Sequence, residues 1–154
     1  MDLHDVLKNG YSQHKKTNLN GYELDKDLSN GNQQVYYNKE KNKLHYNVNG
    51  TRNLADWITD AIGLTGNLKN TNRYKQADIT LKKAKDKYKI NNASISGRSL
   101  GGAITSLISK NNDKVYTLDK FGLANKIKSN EQAFRTSGDL VSILNSNCKN
   151  MKAI

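Results

Sequence analysis

Ser94-Ile95-Ser96-Gly97-Arg98-Ser99-Leu100-Gly101-Gly102 joins a short apolar strand to an apolar helix through a G-x-S-x-G turn. At such a corner the central residue, Ser99, has its hydroxyl pushed out of the sheet, and the flanking glycines remove side chains that would clash there. The helix that follows carries Leu100, Ala103, Ile104, Leu107 and Ile108 on one face, and Gly101 and Gly102 let it pack close to the strand. Residue type and context together spell a nucleophile elbow. The plainer alternative is a serine that caps a helix in a Gly-rich turn; Gly102 and the preceding strand weigh against it.

Outward from the elbow, helices and strands alternate. Upstream, Asp2 caps a helix to about residue 13 with Leu3, Val6, Leu7 and Tyr11 inward. Residues 15–32 are a polar surface excursion pinned by Leu19, Tyr22, Leu24 and Leu28. Two strands, 34–37 and 44–48, flank the polar turn 38–42 as a hairpin. Asn53 caps a short amphipathic helix, 53–62, with Leu54, Trp57, Ile58, Ala61 and Ile62 on one face. From Asn72 a longer helix aligns Tyr74, Ala77, Leu81, Ala84 and Tyr88 in one stripe. Its other face is basic, and both a solvated helix surface and a dedicated binding patch fit that pattern. Downstream, residues 114–118 and 133–136 read as further strands, the second ending at Gly138-Asp139. This order predicts an α/β domain with a mainly parallel sheet flanked by helices.

At 154 residues the chain fits one domain, 1–154, small for a complete fold of this kind or C-terminally incomplete. The net charge of +11 favours anionic partners, an anionic membrane surface among them. Cys148 is the single cysteine, so neither an intrachain disulfide nor a cysteine-based metal cluster is expected. The first residues lack the basic and apolar regions of a leader, and no apolar run of about 18 residues occurs, which fits a cytoplasmic or virion setting. No nucleic-acid-binding motif is visible, so a nucleic-acid role would rest on charge alone.

Four separated segments together resemble the class 3 lipases, an α/β-hydrolase family whose fungal members hydrolyse triacylglycerols. Where that family shows F-R-G-T, x-x-D-W-x-x-D, G-H-S-L-G-G and D-x-V, this chain reads Val48-Asn49-Gly50-Thr51, Ala55-Asp56-Trp57-Ile58-Thr59-Asp60, Gly97-Arg98-Ser99-Leu100-Gly101-Gly102 and Gly138-Asp139-Leu140-Val141. Order and approximate spacing agree, and the match spans residues 34–144. The resemblance implies an α/β-hydrolase-like fold with Ser99 as nucleophile and Asp139 as triad acid, Asp119 being the alternative acid. It implies an oxyanion hole from the backbone N–H groups of Thr51 and Leu100. It also makes 53–62 a lid that offers Trp57 and Ile58 to a lipid or small ester substrate, with a plain core role for Trp57 equally open. Asp56 and Asp60 cap and orient that helix. No metal or cofactor enters this chemistry. Short lipase-like chains rich in lysine and asparagine also resemble those of large DNA viruses, which implies a virion or host-membrane role.

The chain departs from the family at three points. Its histidines are His4, His14 and His45, and none follows Asp139, where the triad histidine belongs. His45 reads as a strand-face residue before it reads as a base. Arg98 puts a cation beside the elbow where the family has histidine, and Asn49 in place of arginine predicts a looser oxyanion loop. Two functions follow: a serine hydrolase acting on lipid esters whose histidine is missing from this chain, or a lipase-derived fold retained as an inactive binding or virion-associated module.

Overall fold

The computed structural model describes residues 1–50, 68–120 and 127–135, and the backbone of Lys152–Ala153. Helix α1 (Leu3–Tyr11) starts where expected, because the Asp2 carboxylate accepts the N–H groups of His4 and Asp5 at 2.7 and 3.3 Å. Residues 15–32 hold more order than the excursion expected from sequence. The pair Asn20-Gly21, both at positive φ, turns β1 (Asn18–Leu19) into β2 (Tyr22–Leu24). Then β3 (Gln33–Asn38) and β4 (Lys43–Val48) form the expected hairpin.

After a 3-10 turn at Leu68–Asn70 comes helix α2 (Asn72–Tyr88), capped by the Thr71 hydroxyl. Strand β5 (Ser94–Arg98) leads into helix α3 (Leu100–Ile108), followed by β6 (Lys114–Leu118), β7 (Glu131–Arg135) and β8 (Lys152–Ala153). Among the described residues eight strands make one sheet in sequence order. Pairing is antiparallel from β1 to β4 and parallel from β4 to β8. The α/β class and the parallel sheet carrying the elbow agree with the sequence expectation.

Successive strand residues face opposite sides of the sheet, and the two sides are covered differently. Val35, Leu44, Tyr46 and Ile95 meet Ala77, Leu81 and Ala84 of α2 and Ile104 and Ile108 of α3. On the other face Tyr36 packs with Val6 of α1 and with Leu19 and Tyr22, and the Asn9 amide donates to the Tyr36 hydroxyl at 2.8 Å. Ile95 and Ile104 are fully buried, and each such side chain contributes about 1.5–3 kcal/mol by leaving water.

The basic face of α2 serves structure in part. Lys85 pairs with Asp113 at 2.8 Å and Lys87 with Asp25 at 2.6 Å, both carboxylates being buried. Asp113 also accepts the Ala93 N–H, tying the start of β5 to the start of β6. Strand β7 begins at Glu131, two residues before the expected start at Ala133, because the Glu131 carboxylate is itself interior. Lys120 Nζ lies 2.7 Å from Glu131 Oε1, with both side chains fully buried, and the hydroxyls of Thr117 and Ser106 donate to the same carboxylate.

Candidate active site

Ser99 stands between β5 and α3 with φ 55° and ψ −119°, a region that non-glycine residues rarely occupy. That conformation is imposed by close packing. A Cβ on Gly97 would lie 2.4 Å from the Gly101 carbonyl oxygen, and one on Gly101 would lie 2.0 Å from that of Val48. Helix α3 therefore sits directly against the ends of β4 and β5, as G-x-S-x-G followed by Gly102 predicts. Backbone bonds fix the corner: the Ser99 N–H donates to Leu118 O at 3.0 Å, and the Ala103 N–H to Ser99 O at 3.2 Å. The Ser99 Oγ is buried and has no hydrogen-bond partner among the described residues. A buried hydroxyl held in a strained corner without a partner costs stability, and such costs concentrate at functional positions.

Leu100 is the first residue of α3, so its N–H has no intrahelical acceptor. The loop after β4 approaches from the other side. A Cβ on Gly50 would be 3.1 Å from Ser99 Cβ and 2.7 Å from the Arg98 carbonyl oxygen, so residue 50 abuts the elbow. Thr51 follows it but lies outside the described residues, as do Trp57, Ile58 and Asp139.

Asn49 does not loosen this loop as far as Gly50. Its side-chain amide donates to the carbonyls of Gly10 and Gly31 at 2.6 and 2.9 Å, and its Oδ1 accepts from Asn47. The carbonyl of Asn49 accepts from Arg73 Nη2 at 2.6 Å. Burial holds the Arg73 guanidinium below its ordinary value, with the nearby phenols of Tyr11 and Tyr46 acting against that effect. A residue expected only to line the inside of α1 also joins in: the Tyr11 hydroxyl accepts the Gly50 N–H at 2.7 Å.

Asp119, the alternative acid, sits at the end of β6 with φ 49°, buried, its N–H bonded to Phe134 O at 2.8 Å. Its carboxylate is 3.6 Å from Arg98 Nη2, so the cation beside the elbow is balanced from the end of β6. His45 faces away from this chemistry. It pairs in register with Ser94, at the opposite end of β5 from Ser99, and five strand residues span about 16 Å. Its Nδ1 and Nε2 lie 3.0 and 2.9 Å from the hydroxyls of Ser94 and Ser96. Burial drives its pKa down to about 3, with the charged amino terminus adding to the effect, so the ring is neutral. His4 and His14 are exposed on α1 and in the turn after it.

No family model matches the sequence, and no curated protein matches it either. Among solved structures the chain is similar to the Lip2 lipase from Yarrowia lipolytica, with a TM-score of 0.52 over 96% of this chain and 77% of that one, at 17% identity. The likeness establishes a lipase-like α/β fold and does not support the large-DNA-virus type.

Proposed function

We propose that this chain carries a serine ester-hydrolase site for carboxylic, lipid-type esters, with Ser99 as nucleophile, and that none of its three histidines serves as the base. The observation that carries this reading is the Ser99 Oγ: strained, buried and unpartnered among the described residues, at the carboxyl end of a parallel strand. An ester carbonyl beside it would meet the Leu100 N–H, with the Thr51 N–H as the second donor and Asp139 as the triad acid. The fold shared with a lipase fits a lipid ester as substrate.

Without an adjacent base the hydroxyl is a weak nucleophile at neutral pH, and hydrolysis falls to what donors and substrate binding supply, roughly 10³–10⁴-fold over water. The second reading, an inactive binding module, is favoured by one observation: His45 is locked into Ser94 and Ser96 at the far end of β5.

Chemical rescue separates the two. Hydrolysis of p-nitrophenyl butyrate is measured with and without added imidazole, subtracting the rate of Ser99→Ala under the same conditions. Slow turnover that imidazole raises only when Ser99 is present supports the hydrolase site. Identical rates for the two folded proteins at every imidazole concentration support the module.

A further inference from the structure

At the end of the sheet opposite Ser99, a cavity of about 520 Å³ opens between the first turns of α1 and the starting residues of β4, β5 and β6. That volume lies within the range of small-molecule sites, about 300–1,000 Å³. Its charged rim is basic. Lys41 enters from the β3–β4 turn, Lys43 from the start of β4 and Lys114 from the start of β6, and none of the three pairs with a carboxylate among the described residues. The acids nearest in sequence do not line it: Asp2 caps α1, Asp113 is held by Lys85, and Glu40 and Asp5 are exposed elsewhere.

The strand register explains the clustering. His45, Ser94 and Lys114 stand in one row across β4, β5 and β6, and Lys43 shares their face two residues before His45. His45, neutral and bonded to Ser94, gives a polar floor without charge. The side-chain amide of Asn92 adds donors, and that of Asn112, which gives one N–H to Asn91 O at 2.9 Å, keeps its second, while Leu3, Val6 and Tyr116 supply an apolar wall.

We propose that this cavity binds a small molecule bearing a phosphate ester, its phosphate held by Lys43 and Lys114 and its organic part laid against Tyr116 and α1. Lysine acts as a point charge toward phosphate, and the asparagine amides supply directed hydrogen bonds. The space exceeds what inorganic phosphate fills, so the organic group contributes to binding. The proposal stands apart from the Ser99 site and does not depend on it.

Calorimetric titration of the intact chain tests it with ATP, inorganic phosphate, and phosphatidylcholine vesicles with and without phosphatidic acid. ATP is expected to bind, with inorganic phosphate weaker, and Lys43→Glu/Lys114→Glu is expected to weaken ATP by an order of magnitude or more. Lys75→Glu/Lys83→Glu on α2 makes the same change in net charge and is expected to leave ATP binding intact. Binding only to vesicles with phosphatidic acid, lost in the first double variant and kept in the second, supports the same site with a lipid headgroup as its source. No binding of any probe, inorganic phosphate as tight as ATP, or equal loss in both double variants overturns it. Should the first variant fail to fold, acetylation of the unsubstituted chain decides: ATP protects Lys43 and Lys114 and not Lys75 and Lys83, or the proposal is wrong.

Discussion

Tyr11, the last residue of α1, reaches across the carboxyl end of β4 and accepts the backbone N–H of Gly50 at 2.7 Å. This contact couples a helix on one face of the sheet to the loop that abuts Ser99. Tyr11→Phe leaves the Gly50 N–H unpaired and frees the loop. The expected cost is about 1–3 kcal/mol in stability, read by urea denaturation, together with a fall in kcat for p-nitrophenyl butyrate larger than any change in KM.

Strain at Ser99 predicts a trade between stability and chemistry. Glycine adopts φ 55° and ψ −119° without penalty, whereas serine there costs on the order of 1–3 kcal/mol. Ser99→Gly should therefore melt higher than the unsubstituted protein while abolishing esterase activity. Ser99→Ala keeps the strained backbone and removes only the unpartnered hydroxyl, so its melting point should rise less.

The buried pair Lys120–Glu131 is expected to be far more costly to break than to replace. Glu131→Gln leaves a fully buried ammonium without a counter-charge, a loss of roughly 3–5 kcal/mol. Lys120→Met combined with Glu131→Leu removes both charges and should recover most of that loss in thermal denaturation. A double variant as unstable as the single one would show that the hydroxyls of Ser106 and Thr117, left without their acceptor, dominate instead.

His45 links folding to acidity. Its folded-state pKa of about 3 lies below the ordinary 6.5, so the unfolded chain takes up a proton that the folded chain refuses. Stability is therefore complete above 6.5 and declines as pH falls from there toward 3, with a slope of at most about 1.4 kcal/mol per pH unit. Denaturation midpoints between pH 7 and pH 4.5 should fall in the unsubstituted protein and fall less in His45→Gln.

Much of this architecture was legible because local chemistry repeats known patterns. Asp2 caps α1, the α2 stripe of Ala77, Leu81 and Ala84 is buried, and Gly97 and Gly101 occupy positions where any Cβ would strike backbone. The β1–β2 hairpin escaped, although Asn20-Gly21 is a strong turn signal, because strands of two and three residues are too short to show alternation. Glu131 and Lys120 escaped because charged residues ordinarily mark a surface, and only tertiary pairing makes their burial affordable. Periodicity places Tyr11 on the inner face of α1, yet its role as an acceptor for Gly50 depends on a contact 39 positions away in sequence. Asn49 follows the same course: the motif resemblance marks it only as a departure, while its bonds to Gly10 and Gly31 join positions 39 and 18 apart in sequence.

The central claim is that Ser99 presents a nucleophilic oxygen, and covalent labelling tests it most directly. The folded protein is treated with an alkyl fluorophosphonate in the presence of imidazole as the added base, and its intact mass and peptides are analysed. The account predicts a single phosphonyl adduct, located on Ser99 and absent from Ser99→Ala; a folded protein that stays unlabelled, or an adduct on another residue that persists in Ser99→Ala, would contradict it.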